Sequence, residues 1–356
     1  MVLDIVKVFL PSVAAFVIGI VITPFFSNFL YRHKLWKKRS GKVDLYGGAT
    51  PLFNELHKER EVNTPRMGGV VIWFSAFLTI SGIWLLARFF PIEELTKLDF
   101  LSRSQTWIPL ATLIVVSLVG LLDDILEIKG NGDHIAGGLS LRKRLAVVAV
   151  LGLLCALWFY FKLDVRSIGF PVIGELYIGY LFIPLFILVM GAVYSGGVID
   201  GIDGLAGGVF AAMFGAYAGI AYYQSQIDLA AFSATIVGSI LAFLWFNVPP
   251  ARFYMSETGT MGLTVTLAVV AFMTDALGGG HGLIVLPIVA MPLVLTVLSN
   301  VIQVTSKKFR GKKVFLIAPI HHHFEALGWP GYKVTMRFWI ISIVFAILGM
   351  VLALSS

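Results

Sequence analysis

Five carboxylates lie in three short stretches whose spacing suits the chemistry of phosphate and divalent cations. They are Asp123 and Asp124 in LLDD, Asp200 and Asp203 in DGIDG, and Glu257 in SETG. Carboxylate oxygens are ligands that Mg²⁺ prefers, and adjacent carboxylates can instead share a proton because like charges raise a carboxyl pKa. The D-x-x-D spacing puts two carboxylates on one side of a helical turn, beside glycines that let a ligand approach the backbone. For each aspartate taken alone, capping of a helix or loop is the alternative interpretation.

Three consecutive histidines, His321, His322 and His323, lie between a basic run and the last apolar stretch. Zinc binding is one interpretation, but adjacent side chains do not easily converge on one tetrahedral ion. Imidazole groups donate hydrogen bonds to phosphate oxygens, and their protonation changes near cytoplasmic pH. The segment therefore favours a diphosphate ligand over zinc.

Two further segments carry groups that suit a phosphate or a nucleotide. The basic run 142–144 ends at Arg144 and is either a topology signal or a phosphate-binding site. The segment FNVPPARFYMSETGTMGL brings Asn247 and Arg252 close to Glu257. It is either an ordinary turn or a third carboxylate accompanied by amide and hydroxyl donors.

The elements that must position these residues are strongly apolar. Of the 356 residues, 58% are hydrophobic and only 13% are charged, with a mean hydropathy of +0.88. We therefore predict an all-α polytopic membrane protein, one domain over residues 1–356, with about ten transmembrane helices and a short periplasmic β-hairpin within residues 163–178. The apolar stretches are residues 3–30, 69–90, 106–122, 143–161, 179–194, 205–223, 229–246, 261–277, 284–304 and 336–354. The single cysteine, Cys155, can form no disulfide within the chain.

The distribution of positive charge predicts the topology. With ten crossings, the odd-numbered loops hold all but six of the 27 Lys and Arg residues, the exceptions being Lys7, Arg88, Lys97, Arg103, Lys162 and Arg166. Cytoplasmic loops carry the excess of Lys and Arg, so we predict that these loops are cytoplasmic and that both termini are periplasmic. All five carboxylates and the three histidines lie in the same loops. The net charge of +7 is thus a topology signal rather than a surface for nucleic acid.

The order of these motifs resembles that of the phospho-N-acetylmuramoyl-pentapeptide-transferase family, within the superfamily of polyprenyl-phosphate N-acetylhexosamine-1-phosphate transferases. The segments that carry the resemblance are TPRMGG, LLDD, GLS, DGIDGLAGG, FNVPPARFYMSETG, APIHHHFEALGW and KVTMRFWIIS. They extend over nearly the whole chain, and the triple-histidine segment is the most specific of them.

The resemblance implies an Mg²⁺-dependent transferase of peptidoglycan synthesis, usually dimeric, in the bacterial inner membrane with its active site facing the cytoplasm. It implies transfer of phospho-MurNAc-pentapeptide from UDP-MurNAc-pentapeptide to undecaprenyl phosphate, giving lipid I and UMP. By motif, the implied catalytic residues are Asp123, Asp124, Asp200, His321, His322 and His323. The implied substrate-binding residues are Thr64, Arg144, Gly201, Asp203, Asn247 and Tyr254. The implied metal ligands are Glu257 and Asp124.

Five positions depart from the family pattern, and most of them lie in the expected site. Glu257 replaces an aspartate, which lengthens the presumed metal ligand by one methylene. An asparagine is expected at Gly197, a basic residue at Glu127, and a lysine at both Arg144 and Glu61. These changes bear on metal geometry, substrate choice and rate.

Two other functions fit parts of the same pattern. A transferase of N-acetylglucosamine 1-phosphate would keep the chemistry and change the sugar, although the triple histidine weighs against it. A transporter or a non-catalytic nucleotide-sugar binder belongs to another class of function. The best argument for it is the replacement of the presumed metal ligand by Glu257. Against it, the ionisable motifs lie at helix ends, whereas transporter sites usually lie near the bilayer midplane.

Overall fold

The computed structural model describes residues 2–37, 63–90, 92–102, 104–130, 138–170, 174–275 and 277–355. Most of these residues are helical. In chain order the helices are α1 Val2–Arg32, α2 Gly69–Phe89, α3 Glu93–Leu98, α4 Trp107–Lys129, α5 Leu141–Lys162, α6 Phe182–Ser195, α7 Leu205–Tyr223, α8 Ile227–Asn247, α9 Ser256–Asp275, α10 Leu286–Val289, α11 Met291–Arg310, α12 Ile320–Ala326 and α13 Gly331–Leu354. Short 3₁₀ turns precede and follow α6, at Gly179–Leu181 and Gly196–Ile199.

Within the described ranges, nine helical segments are long and apolar enough to cross a membrane. They are α1, α2, α4, α5, α6 with its flanking turns, α7, α8, α9 and α13. Nine of the ten predicted stretches therefore coincide with such a helix, which confirms the all-α membrane fold. The orientation of the termini stays a prediction.

The remaining predicted stretch, 284–304, is divided between two helices. The short helix α10 ends at Val289, and α11 begins at Met291. Polar side chains recur along α11, and its buried face includes Thr296, Ser299 and Gln303. This amphipathic composition, continued by basic residues in the last turn, makes α11 less apolar than the other long helices.

The predicted hairpin is confirmed as two antiparallel strands, β1 Ser167–Phe170 and β2 Gly174–Tyr177. It is tied to the end of α9 through Asp275, whose carboxylate accepts hydrogen bonds from Gly169 N (3.0 Å) and Leu283 N (3.1 Å). One buried carboxylate thus joins the hairpin and the next loop to the helical bundle.

Helix α9 lies at the centre of the bundle. In its most apolar stretch 94% of the residues are buried, against 22% for α1 and 28% for α13. Small residues allow the neighbouring helices to approach it closely. Gly69 of α2 lies against Gly259, and Gly120 of α4 lies against the backbone of Glu257 and Thr258. These contacts place the ends of α2 and α4 beside the first turn of α9.

We predict that Gly120→Ala destabilises the protein and that Gly82→Ala does not. A Cβ at Gly120 would overlap the Glu257 carbonyl group, whereas a Cβ at Gly82 of α2 meets no atom within 4 Å. Overpacking costs about 1–3 kcal/mol, whereas alanine at an open helical position is favoured by up to about 1 kcal/mol. Thermal unfolding of the detergent-purified variants measures both effects. Equal melting temperatures would contradict the tight α4–α9 contact.

Candidate active site

The first turn of α9 begins against two carboxylates, the buried Asp124 and the half-buried Asp200. Asp200 accepts a hydrogen bond from Ser256 N (2.9 Å), and Asp124 accepts bonds from Glu257 N (3.3 Å) and Thr258 N (3.0 Å). These N–H groups have no carbonyl partner within their own helix. Both aspartates therefore act as caps of α9, an alternative that the sequence had left open for each of them.

Asp124 is fully buried and receives one further bond, from the Thr258 hydroxyl to its Oδ2 at 2.5 Å. Both of its oxygens are thus engaged by the start of α9. Its catalytic and metal-binding roles stay predictions.

Asp123 faces a different set of groups from its neighbour. Its Oδ1 accepts a hydrogen bond from Leu139 N, and its Oδ2 lies 3.6 Å from Nη1 of Arg144. The same Nη1 is ion-paired with Oε1 of Glu257. One guanidinium group therefore lies between two carboxylates that come from different helices.

This Asp123–Arg144–Glu257 cluster is accessible on one side. The Asp123 side chain is 3% exposed, but those of Arg144 and Glu257 are 21% and 28% exposed. The Nε of Arg144 is buried and makes no hydrogen bond to any residue that the structure describes. An anionic ligand reaching the cluster would meet accessible positive charge on the guanidinium group.

The donor chemistry of the cluster suits Mg²⁺. The ion usually binds one or two carboxylates and completes its octahedron with water and substrate phosphate oxygens. Asp123 and Glu257 are such a pair, drawn together around one cation. In the described part of the chain, no three His, Cys, Asp or Glu side chains are grouped as a metal site.

Asp203 and Asn247 connect the loop before α7 to the loop between α8 and α9. The Asp203 carboxylate accepts a bond from Ala251 N at 3.1 Å. Asn247 is 3% exposed; its Oδ1 accepts from Gly204 N (2.9 Å), and its Nδ2 donates to Phe253 O (2.8 Å). Both ends of this amide hold the loops together, and its contact with a nucleoside stays a prediction.

Two of the three histidines meet the Asp200 loop. His321 and His322 are buried, and a Cβ at Gly201 would lie 2.6 Å from Nε2 of each ring. Only glycine permits this approach without displacement of the rings. Glu325 orients the ring of His322, because its Oε2 lies 2.7 Å from Nδ1 of that ring.

His323 is directed away from that pair. Its Nδ1 accepts a hydrogen bond from Leu316 N at 3.2 Å, and its ring meets Phe315 edge-on at 5.5 Å between centroids. The three histidines, treated as one group in the sequence, thus have two different environments.

Tyr254 and Thr64 lie at the same end of the bundle. Tyr254 N donates to Pro65 O at 2.9 Å, and its carbonyl accepts from Gly68 N at 2.8 Å. Thr64 is half-buried beside Pro65. The segment that precedes α2 is thereby joined to the segment that precedes α9.

Glu127, where the resemblance implies a basic residue, is paired with cations that sequence reasoning did not connect with it. Its carboxylate pairs with Lys37 at 2.6 Å and with Arg66. Glu325 was likewise not assigned a role, although it adjoins the histidines in the sequence. Glu61 lies outside the described residues.

Comparison of the sequence with those of known proteins assigns the chain to a family. The model of Glycosyl transferase family 4 matches residues 106–275, which include all five carboxylates. The chain is 33% identical over 338 residues to a phospho-N-acetylmuramoyl-pentapeptide-transferase of Anoxybacillus flavithermus, covering 94% of each chain. Enzymes of the same name from Bacillus subtilis and Chloroflexus aurantiacus are 31% and 30% identical, over 94% and 90% of their own lengths. These alignments cover 94% and 99% of this chain.

We predict that Thr258→Val lowers stability more than Thr264→Val does. Both threonines are fully buried on α9, but the Thr258 hydroxyl bonds the Asp124 carboxylate, whereas the Thr264 hydroxyl bonds carbonyl groups of its own helix. Hydrogen bonds to charged groups contribute about 1.5–3 kcal/mol. Thermal unfolding of both detergent-purified variants measures the difference. Equal losses of melting temperature in the two variants would show that the hydrogen bond to Asp124 contributes no more to stability than the bonds within α9.

Proposed function

The chain belongs to the phospho-N-acetylmuramoyl-pentapeptide-transferase family, whose enzymes act in peptidoglycan synthesis, and we propose that its substrates are UDP-MurNAc-pentapeptide and undecaprenyl phosphate. The products are UMP and lipid I. The single observation that carries this proposal is the Asp123–Arg144–Glu257 cluster, which combines accessible positive charge with two carboxylates at the ends of apolar helices. Such an arrangement suits a reaction between a water-soluble diphosphate and a lipid phosphate.

Arg144 is the residue we assign to the transferred phosphate. Its guanidinium plane offers paired donors that match phosphate oxygens, and its side chain is 21% exposed. In the absence of substrate the two carboxylates hold this side chain in place. A preorganised donor stabilises the charge that develops during phosphoryl transfer without having to reorient.

Asp123 is the residue we assign to the lipid phosphate. Its Oδ2 faces Arg144, so a phosphate bound there would lie beside a carboxylate able to accept its proton or orient it. Asp124 supports this position indirectly, because its bonds to the start of α9 hold Glu257 opposite Asp123.

We propose that Glu257 and Asp123 would hold Mg²⁺. The metal-binding role expected of Asp124, whose oxygens accept hydrogen bonds from α9, stays a prediction. When bound, Mg²⁺ supplies neutralisation of the diphosphate charge and activation of the UMP leaving group. The guanidinium group of Arg144, ion-paired with Glu257 and near Asp123, would contact the phosphate oxygens.

The remaining assignments concern the donor. His321 and His322 donate hydrogen bonds to the diphosphate and sugar, and Gly201 lets both rings approach the Asp200 loop closely. Asp203, Asn247, Tyr254 and Thr64 line the nucleoside side. His323 faces Phe315, and its catalytic role stays a prediction. A lipid phosphate oxygen attacks the sugar-side phosphorus directly and UMP leaves. In the two-step alternative Asp200 attacks first and UMP leaves, and the lipid phosphate then displaces the Asp200 carboxylate.

We further propose that the protein resides in the bacterial inner membrane as a homodimer, with the site facing the cytoplasm. The excess of Lys and Arg in the loops that carry the site supports this orientation. It places the site on the side where a nucleotide-activated sugar is available.

The test of the proposed function is UMP release by the detergent-purified protein. UDP-MurNAc-pentapeptide, undecaprenyl phosphate and Mg²⁺ are supplied together, and UDP-N-acetylglucosamine replaces the donor in a parallel reaction. We expect release with the muramyl donor only. Release with N-acetylglucosamine alone would favour the sister transferases, and release with neither would overturn the proposal.

We predict that Glu257→Gln loses transfer by about two to three orders of magnitude, the scale seen when one charge-stabilising group is removed from an active site. The amide keeps the size of the side chain but removes a metal ligand and the partner of Arg144. UMP release is measured across an Mg²⁺ titration, with Glu175→Gln in the exposed hairpin as the matched control. An unchanged Mg²⁺ titration curve for Glu257→Gln would remove this residue from metal binding.

A further inference from the structure

Three charged side chains meet near the last turn of α4, outside the cluster assigned to the reaction. The Glu127 carboxylate pairs with Nζ of Lys37 at 2.6 Å through one oxygen and with the Arg66 guanidinium group through the other. The side chains are largely buried, with exposed fractions of 7% for Lys37, 16% for Arg66 and 12% for Glu127. Charges withdrawn from water are costly unless they compensate one another. Removing the Glu127 charge would therefore leave two buried cations without their shared partner.

The Lys37–Glu127–Arg66 group joins three separate parts of the chain. Lys37 follows α1, Arg66 precedes α2, and Glu127 lies in α4, 61 residues beyond Arg66. The backbone supports the same junction, because Arg66 N donates a hydrogen bond to Leu35 O at 2.9 Å. One carboxylate thus fixes the segments before α2 and after α1 to the end of α4.

The segment that carries Arg66 is joined in turn to the segment that precedes α9. Tyr254 N donates to Pro65 O at 2.9 Å, Gly68 N donates to Tyr254 O at 2.8 Å, and Gly69 N donates to Met255 O at 3.1 Å. The approach is close, since a Cβ at Gly68 would lie 2.6 Å from Tyr254 O. Three consecutive backbone bonds of this kind make the two segments move together. A displacement of the first would displace the start of α9.

The first turn of α9 is therefore attached to α4 at two places. The direct attachment is Asp124, which accepts hydrogen bonds from Glu257 N (3.3 Å) and Thr258 N (3.0 Å). The indirect attachment is Glu127, which acts through Arg66 and the backbone bonds of its segment. Glu127 follows Asp124 by three residues, so both lie on nearly the same side of α4. Two attachments fix the orientation of the turn, whereas one would allow it to tilt.

We propose that Glu127 is a positioning residue for the transfer reaction. By holding Arg66 and Lys37 it fixes the segment that precedes α9, and it thereby keeps Glu257 opposite Asp123. The inference rests on the proposed function, which gives the placement of these two carboxylates its catalytic meaning. A direct contact with substrate is disfavoured, because the negative charge of Glu127 would repel a phosphate and is already paired with two cations.

The alternative is that the Glu127 ion pairs only stabilise the fold. The chain offers a matched control for it, the pair between Lys7 and Asp228. This pair joins α1 to the first turn of α8 at 2.7 Å, with exposed fractions of 18% and 24%. Lys7 lies near the beginning of α1, whereas Lys37 follows its end. Asp228→Asn therefore removes an ion pair of α1 without touching the candidate site.

The first test measures positioning without substrate or metal, by hydrogen exchange and mass spectrometry of the detergent-purified full-length protein. In Glu127→Gln we expect peptides that cover residues 254–258 to exchange about tenfold faster, because their amides lose one of two attachments. The same peptides should exchange at the unmodified rate in Asp228→Asn. Lys37→Met removes one cation only and should give a smaller rise, so it replaces Glu127→Gln if that variant does not fold. Unchanged exchange at 254–258 would overturn the proposal.

The second test is a double-mutant cycle on UMP release. We expect Glu127→Gln and Arg66→Met each to lower kcat about tenfold and to leave the KM for UDP-MurNAc-pentapeptide unchanged. The double variant should lose no more than either single variant, since all three lack the same pair. Asp228→Asn should retain the unmodified kcat. Losses that multiply to about a hundredfold in the double variant would show that the two residues act separately and would overturn the proposal.

The two tests separate the positioning role from the reaction itself. If exchange at 254–258 rises in Glu127→Gln while kcat stays unmodified, Glu127 serves only the fold and the proposal is overturned. If the unmodified protein releases UMP from no donor but exchange at 254–258 rises in Glu127→Gln and not in Asp228→Asn, the proposed function fails. The attachment of α9 through Glu127 then stands.

Discussion

The arrangement of the site depends on how the first turn of α9 is satisfied. A helix that starts inside a membrane protein presents N–H groups without carbonyl partners, and leaving them unbonded costs several kcal/mol each. Asp200 and Asp124 accept the bonds from residues 256–258, and their charges also lie at the positive end of the helix dipole. Because these carboxylates come from two other segments, the same bonds that permit α9 to begin there also join α4 and the Asp200 loop to it. Glu257 then has little freedom, and it lies where it can meet Arg144.

Charge compensation explains why the polar groups occur in sets. A buried charge without a partner is strongly unfavourable, so a carboxylate at this depth has to be accompanied by a cation or by several donors. Glu127 is accompanied by Lys37 and Arg66, and the Asp123–Glu257 pair by Arg144. The guanidinium group of Arg144 and the carboxylate of Glu257 are ion-paired, so the two positions at which the resemblance implies other residues are structurally linked. A substitution at either position would change the environment of both.

Much of the fold follows from the sequence because apolar length and glycine position are local properties. Nine of the predicted stretches are helices, and the hairpin around 163–178 forms where its glycines indicated a turn. The convergence of four loops followed from helix parity alone. Helix parity could not predict the side-chain partners, however. Glu127 pairs with Arg66, which lies 61 residues away in sequence. His323 is oriented differently from His321 and His322 because Leu316 and Phe315 contact its ring. The sequence did not predict that residues 284–304 form two helices, because an average hydropathy does not register the amphipathic face of α11.

Helix α4 has three structural roles, each of which belongs to a different part of its surface. One face carries Ser117 and Gly120 and packs closely on α9, the outward face is apolar, and the end carries the two aspartates. Since an α-helix has 3.6 residues per turn, the side chains of two adjacent aspartates must point in different directions. Here Asp124 caps α9 and Asp123 faces Arg144. The Asp123 carboxylate therefore lies at the junction of the packed face and the apolar face. Under the proposed function, a lipid phosphate would reach this carboxylate from the hydrocarbon side while the water-soluble donor approaches from the loops, so neither substrate would have to cross the medium of the other.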